Sequence, residues 1–403
     1  MRGRRAFLAA GASSVVASLA GCFDEVRGAL EPLEGEVDVD PASAVDEDAW
    51  SVVHGDPGNT RSVPADAVPE LPLSIEWREP YETHVGHVRP VSDGEIVIGT
   101  DWDEELFAID ADSGERLWTA TDPAFEPRSA PVITDEAVLI GSRSALWAFD
   151  RDGGERLWRT DDSLSLGTFD SHPNADGDLA IGGTPLGVAA YDLETGERRW
   201  RRQIGLQSRT EPAIHGETIY LGGGDATLHA LESETGEWRW RTNADTEIRA
   251  GPAVTDSRIF VGTDDGTLIA YDHDAEQLWR TDLGEGRADE LAVGNGVVCA
   301  ATEDDALTAV DPASGDRAWR SQRYVSTYAN GPTVGGGLVF GTVQSDDVRH
   351  SRGGERIGAF DAETGDLEWE SEETGLENGP AIVDGGLYVT GRMDRESTVA
   401  KLS

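Results

Sequence analysis

Lysine is almost missing: of the 33 cationic side chains in the 403-residue chain, only Lys401 is a lysine. Cations of any kind are scarce, 33 against 77 Asp and Glu, a formal net charge of −44. Phosphate recognition rests on cationic surface, so nucleic acid is excluded as a default partner. Cysteine is scarce too. Cys22 and Cys299 are too few for a disulfide framework and too far apart for a metal-ligand cluster. Long apolar runs are short supply: the charge-free stretch at residues 6–21 falls below the ~20 residues that a membrane-crossing helix needs. The missing charges of one sign do not mean a missing core. Hydrophobic residues make up 38% of the chain beside 48 glycines, enough apolar content for a folded protein.

A basic start followed by a short apolar core has the form of an export signal. Arg4-Arg5-Ala6-Phe7-Leu8 resembles the twin-arginine signal, which implies export in the folded state. Leu19-Ala20-Gly21-Cys22 resembles a lipobox, which implies cleavage before Cys22 and a lipid on its sulfur. Residues 1–21 are therefore expected to be a lipoprotein signal. Residues 22–49, rich in Asp and Glu with Pro32 and Pro41, bury too little to order themselves and read as an acidic tether. Acid excess with near-absent lysine resembles the proteins of halophiles, the archaeal type included. Strong salt is the solvent in which such self-repulsion is screened. The expected location is the outer face of the cell membrane.

From residue 50 onward one unit is written repeatedly. Trp77, Trp118, Trp158, Trp200, Trp240, Trp279, Trp319 and Trp369 recur about every 40 residues. Gly stands four residues before Trp at 114, 154, 196, 236, 315 and 365, and an acid eight before it in the same units. Each unit holds four short β-rich runs separated by turn signals, as in Ile259-Phe260-Val261-Gly262, Asp264-Asp265-Gly266 and Leu268-Ile269-Ala270-Tyr271. Four strands per unit, repeated, predicts an all-β chain: an eight-bladed β-propeller over residues 50–403, with seven blades as the alternative if Trp77 belongs elsewhere. The Trp is expected to pack between blades, since one four-stranded sheet cannot bury its own faces. The Trp77 run is only a final strand, and the chain ends on the earlier strands of a blade. Pairing the two closes the ring and removes an open edge.

Three units depart from the register. The fifth replaces its Thr-Gly turn with His273-Asp274-Ala275, the sixth has Asp289-Glu290-Leu291 where others have Gly-Pro or a similar pair, and the seventh carries a polar insertion at residues 344–356. The insertion reads as a surface loop.

The run Ala190-Tyr191-Asp192-Leu193-Glu194-Thr195-Gly196-Glu197-Arg198-Arg199-Trp200 resembles the pyrroloquinoline-quinone-like (PQQ-like) propeller repeat. One branch of that family, the quinoprotein alcohol and sugar dehydrogenases, holds the quinone and calcium above the axis beneath an adjacent cysteine pair. Another, the outer-membrane assembly lipoprotein, has the same body and binds protein partners. Cys299 stands alone in Val297-Val298-Cys299-Ala300, so no catalytic residue is assigned and no cofactor is expected, PQQ with calcium being the alternative.

Residues ahead of each unit's Pro are expected to line the channel mouth. Three before it stand Arg128, Arg209 and Arg249; nearer are His172, Glu211, Asn330 and Asn378. Arginines at one register could hold a carboxylate or an acidic loop; the plainer reading pairs them with neighbouring acids. His84 and His87 lack a third ligand, and Asp101-Trp102-Asp103-Glu104-Glu105 and Asp264-Asp265-Gly266 lack a calcium-loop pattern, so no metal site is expected. The sequence thus reads as a lipid-anchored, monomeric propeller serving as a protein-binding or assembly scaffold at the cell envelope, with a PQQ-dependent dehydrogenase as the alternative.

Overall fold

A computed structural model of the chain describes residues 52, 55–81, 89–100, 105–120, 122, 125, 127, 129–142, 145–160, 172–184, 187–204, 210–284, 286–304, 306–321, 331–344, 355–393 and 396–403. All lie in the unit Val37–Ser403. The signal, Cys22 and the tether fall outside the described residues.

The repeat folds into eight four-stranded antiparallel sheets, one per unit. Blades 1 to 7 take consecutive strands: residues 91–120, 132–159, 174–203, 213–243, 248–282, 288–320 and 333–370. Blade 8 is assembled from both ends of the repeat. Its inner three strands are Leu376–Val383, Gly386–Met393 and Glu396–Leu402, and its outer strand is Ile75–Tyr81. The ladder runs from Ile75 opposite Leu402, through Trp77 opposite Lys401, to Tyr81 opposite Ser397. The ring therefore closes through the Trp77 strand, and the count is eight rather than seven.

The tryptophans bind the blades together. The indole N–H of Trp77, Trp118, Trp158, Trp200, Trp240, Trp279 and Trp319 each donates to a carbonyl of the following blade, at Ala111, Arg151, Leu193, Ser233, His273, Pro312 and Ala362. The ring behind each N–H fills the gap between two sheets, giving every blade a second face to bury against. The acid eight residues before Trp organises the facing turn: Asp192 Oδ1 accepts from the Thr195 N–H at 3.0 Å and its hydroxyl at 2.8 Å. The Arg199 guanidinium beside Asp192, with those Thr195 hydrogen bonds, holds the carboxyl down to about 2.

The departures have local causes. In blade 5 the shorter turn brings His273 between Tyr220 Oη and the Thr255 carbonyl, each 2.9 Å from a ring nitrogen. In blade 7 the insertion is not all loop. Gln344 pairs with Glu355 and Val343 with Arg356, so its ends extend the second and third strands; the rest of it is outside the described residues.

Candidate functional site

The segment just before the closing strand has little to bury: Gly55-Asp56-Pro57-Gly58-Asn59-Thr60-Arg61-Ser62-Val63. It nonetheless runs along the inner strands of blades 4 to 7, held through its backbone. The Pro57 carbonyl accepts from the N–H of Ile214 in blade 4 at 2.6 Å, Gly58 from Val254 in blade 5 at 2.8 Å, Thr60 from Val293 in blade 6 at 2.7 Å, and Arg61 from Val334 in blade 7 at 2.9 Å. Ser62–Val63 then pairs in parallel with Thr333–Gly335, a fifth strand on that sheet. Asn174 of blade 3 donates to the Pro57 carbonyl at 2.8 Å. Successive residues thus bond to the innermost strands of blades 4 to 7, and those four inner edges gain a partner. Gly58 is required by proximity, since a Cβ there would stand 2.7 Å from the Val254 oxygen. The segment is a plug.

Asp56 shapes the plug from within. Its Oδ2 accepts from the Thr60 N–H at 3.0 Å and from the Thr60 hydroxyl. Burial outweighs these bonds and pushes its carboxyl up to about 6. An acid whose folded pKa lies above its unfolded one binds its proton more tightly when folded. The resulting stability is present below about pH 4 and is lost as pH rises through 6. Thermal unfolding at constant molar salt between pH 4 and 7 should show wild type losing stability relative to Asp56→Asn, by about 2 kcal/mol over the window. Parallel pH profiles for the two proteins would contradict it.

A charged cluster lies beside the plug. Glu290 takes Arg61 Nη2 on one oxygen at 2.6 Å and Arg89 Nη2 on the other at 2.9 Å. Arg61 is 2% exposed, among the largest fully buried side chains described. Next to this triad are Glu211 and His172. His172 Nδ1 accepts the Ala130 N–H at 2.6 Å, which leaves Nε2 toward Glu211 Oε1 at 3.8 Å. Burial raises the Glu211 carboxyl above its ordinary range; His172 pulls it back and Glu290 pushes it further up. Gly331 of blade 7 makes room, since a Cβ there would stand 2.6 Å from the Glu290 Cβ and 2.9 Å from Arg61 Nη1.

Arg89, His172 and Glu211 each occupy the position one before the repeat Pro, and Glu290 the same position before Leu291. The arginine register, three before the Pro, is placed otherwise. Arg249 lies in blade 5 with Asp264 Oδ1 at 2.8 Å and Glu247 at 3.6 Å, apart from the cluster. Asn378 is buried in blade 8 and donates to Thr390 Oγ1. Arg128, Arg209 and Asn330 lie outside the described residues, as do His84, His87 and residues 101–104. Arg61, Arg89 and Glu290 were not among the candidate site residues. The Asp289-Glu290-Leu291 departure was a signal for one of them, whereas Arg61 belongs to no repeat.

No group of three or more metal-ligating side chains occurs among the described residues. Asp264-Asp265-Gly266 forms a hairpin, with the Thr263 hydroxyl donating to Asp265 Oδ1 at 2.6 Å. Cys299 is a free, fully buried thiol in the strand Val297–Thr302, its pKa pushed far up by burial. Chemically the axis holds a saturated ion triad beside a carboxyl–imidazole pair, with no activated nucleophile among the described residues.

By fold, the chain is similar to BamB from Moraxella catarrhalis, at 18% identity and a TM-score of 0.67 over 82% of this chain and 98% of that one. It is similar to quinohemoprotein alcohol dehydrogenase from Comamonas testosteroni, at 17% identity and 0.69 over 90% and 81%. A europium-containing methanol dehydrogenase matches at 14% identity and 0.67 over 87% and 91%. No curated protein matches by sequence. Residues 39–215 and 187–403 match the family described as outer membrane protein assembly factor BamB, which carries the PQQ-like repeat; the chain belongs to that family.

Proposed function

We propose that this protein is a scaffold that docks a protein partner at the cell envelope of a salt-adapted cell, tethered by a lipid on Cys22. The observation that carries this reading is the plug. The chain's own segment takes up the inner edges of blades 4 to 7, and the cationic groups described beside it, Arg61 and Arg89, are already paired with Glu290. What remains for recognition is a rigid disc with loop-bearing faces. Membership in the BamB family supports the same reading.

The likeness to quinoprotein dehydrogenases makes PQQ with calcium the competing reading. The residues described do not suit that group: the thiol that could be compared with the cysteine pair is single and buried in a strand, and Arg61 and Arg89 are engaged by Glu290. No reaction step is assigned.

Crosslinking in intact cells, followed by mass spectrometry, should recover a discrete envelope protein with the wild-type chain. Cys22→Ser should move the chain out of the membrane fraction. Recovery of no partner would count against the scaffold. A saturable rise in thermal stability with PQQ and calcium, in molar salt, would favour the quinoprotein instead.

A further inference from the structure

Beyond the axis, a pocket of about 500 Å³ opens between the outer parts of blades 3 and 4. Its walls include Gln203 of blade 3 and Asp225, His229, Trp238, Arg241 and Asn243 of blade 4. Three features of these residues bear on what the pocket can hold.

Trp238 is not a register tryptophan. It stands two residues before Trp240, and a bulge separates them, so Trp238 pairs with Leu231 while Trp240 pairs with Ala230. Trp240 goes between blades; Trp238 remains 38% exposed, one of the few large apolar side chains left in solvent. Arg241 has no acid within ion-pair distance among the described residues, although the chain carries 77 acids. Its guanidinium lies 5.9 Å from the Trp238 ring instead. Other arginines are held by several acids at once, as Arg151 is by Asp93, Glu95 and Asp152. His229 is 2% exposed and neither ring nitrogen has a close hydrogen bond among the described residues; Asp225 Oδ1 stands 3.5 Å from Nε2. A buried imidazole whose nearest polar partner is a carboxylate at 3.5 Å, with no close hydrogen bond, leaves room for a ligand to complete it.

We infer that this pocket binds a sugar residue carrying a single carboxylate, a uronate unit of a polysaccharide. The indole face of Trp238 offers a flat apolar platform with a negative π-surface, suited to the C–H face of a pyranose ring. The planar polar groups of Gln203, Asn243 and Asp225 supply acceptors and donors for hydroxyls, and His229 gains a closer partner than Asp225. Arg241 supplies a two-pronged match for the carboxylate. An acidic peptide fits less well, because its carboxylates would meet Asp225 and it has no flat apolar face for the indole. A nucleotide would bring several negative charges to one unpaired arginine. In molar salt the Debye length is about 3 Å, so only direct contacts of this kind discriminate.

Saturation-transfer NMR on the full chain in molar salt tests the site with D-glucuronate, D-glucose and a blocked glutamate dipeptide. Transfer to the glucuronate ring protons is expected, lost in Trp238→Ala and weakened about tenfold in Arg241→Gln. Both side chains reach the surface, so unchanged unfolding midpoints should accompany the losses. Glucose should bind about tenfold more weakly than glucuronate to wild type, and no differently to Arg241→Gln. Absence of transfer from wild type, or transfer indifferent to both substitutions, would overturn the site. Binding of the dipeptide in preference to glucuronate would overturn the sugar assignment.

Discussion

Replacing Arg61 by Ala should destabilise the propeller by about 3 kcal/mol, toward the low end of the loss seen when one partner of a buried ion pair is removed. Arg61 is fully buried, and its Nη2 is 2.6 Å from Glu290 Oε2. Truncation leaves Glu290 with Arg89 alone and opens a void beside the plug. Glu290 keeps 26% exposure, so water takes up part of the charge and the loss stays below the extreme. The size of the orphaned-charge contribution is separable. In the double variant Arg61→Ala, Glu290→Gln the unpaired carboxylate is gone, and stability should recover by about 1 kcal/mol relative to the single variant. Unfolding measured at fixed molar salt checks both numbers. If the double variant is no more stable than Arg61→Ala, the triad acts through packing and not through charge.

The contrast between the plug and the blades shows what this sequence makes legible. Blade packing repeats, so each indole and each turn is written again about every 40 residues, and the period exposes them. Ring closure was legible for a related reason: the strand at Trp77 lacks its three predecessors, and the strands ending at Leu402 lack their last. The plug has no such redundancy. It is held by its own carbonyls at Pro57, Gly58, Thr60 and Arg61, groups that every sequence possesses, so nothing in the residue types marks it. The axial cluster lay between these cases. Its register, one before the repeat Pro, is two residues from the arginine register, which looks more regular. The strand Ile248–Val254 shows why the latter is displaced: pairing slips between Ile248 and Ala250 and again between Ala250 and Ala253. Those irregularities carry Arg249 toward the Asp264 hairpin, where it is 2.8 Å from the carboxylate. The pocket beside Trp238 was hidden by the same periodicity, since a tryptophan two residues from a register tryptophan reads as part of the repeat.

The repeat glycine is where sequence pattern and energetics can be tested against each other, and Gly196→Ala should cost about 2–4 kcal/mol. Two demands fall on this position. Its φ of +70° is one that a side chain rarely adopts, and a Cβ would stand 2.7 Å from the Trp158 ring of the preceding blade. Gly177, in the first turn of the same blade, isolates the first demand: its φ is +56°, and nothing lies within 4 Å of a Cβ built there. Gly177→Ala should therefore carry only the left-handed penalty, offset by the stiffer unfolded chain, for a net loss of about 1 kcal/mol or less. The difference between the two variants, about 1–3 kcal/mol, reports the indole–backbone contact between blades. Blade 5 already shows that the φ demand alone is tolerable, since Ala275 holds a φ of +71° in its shortened turn. Equal losses for Gly196→Ala and Gly177→Ala would mean that the indole yields without penalty. In that case the glycine four before six of the tryptophans would be a turn residue only, and the blades would be held together by the indole N–H bonds and the apolar faces.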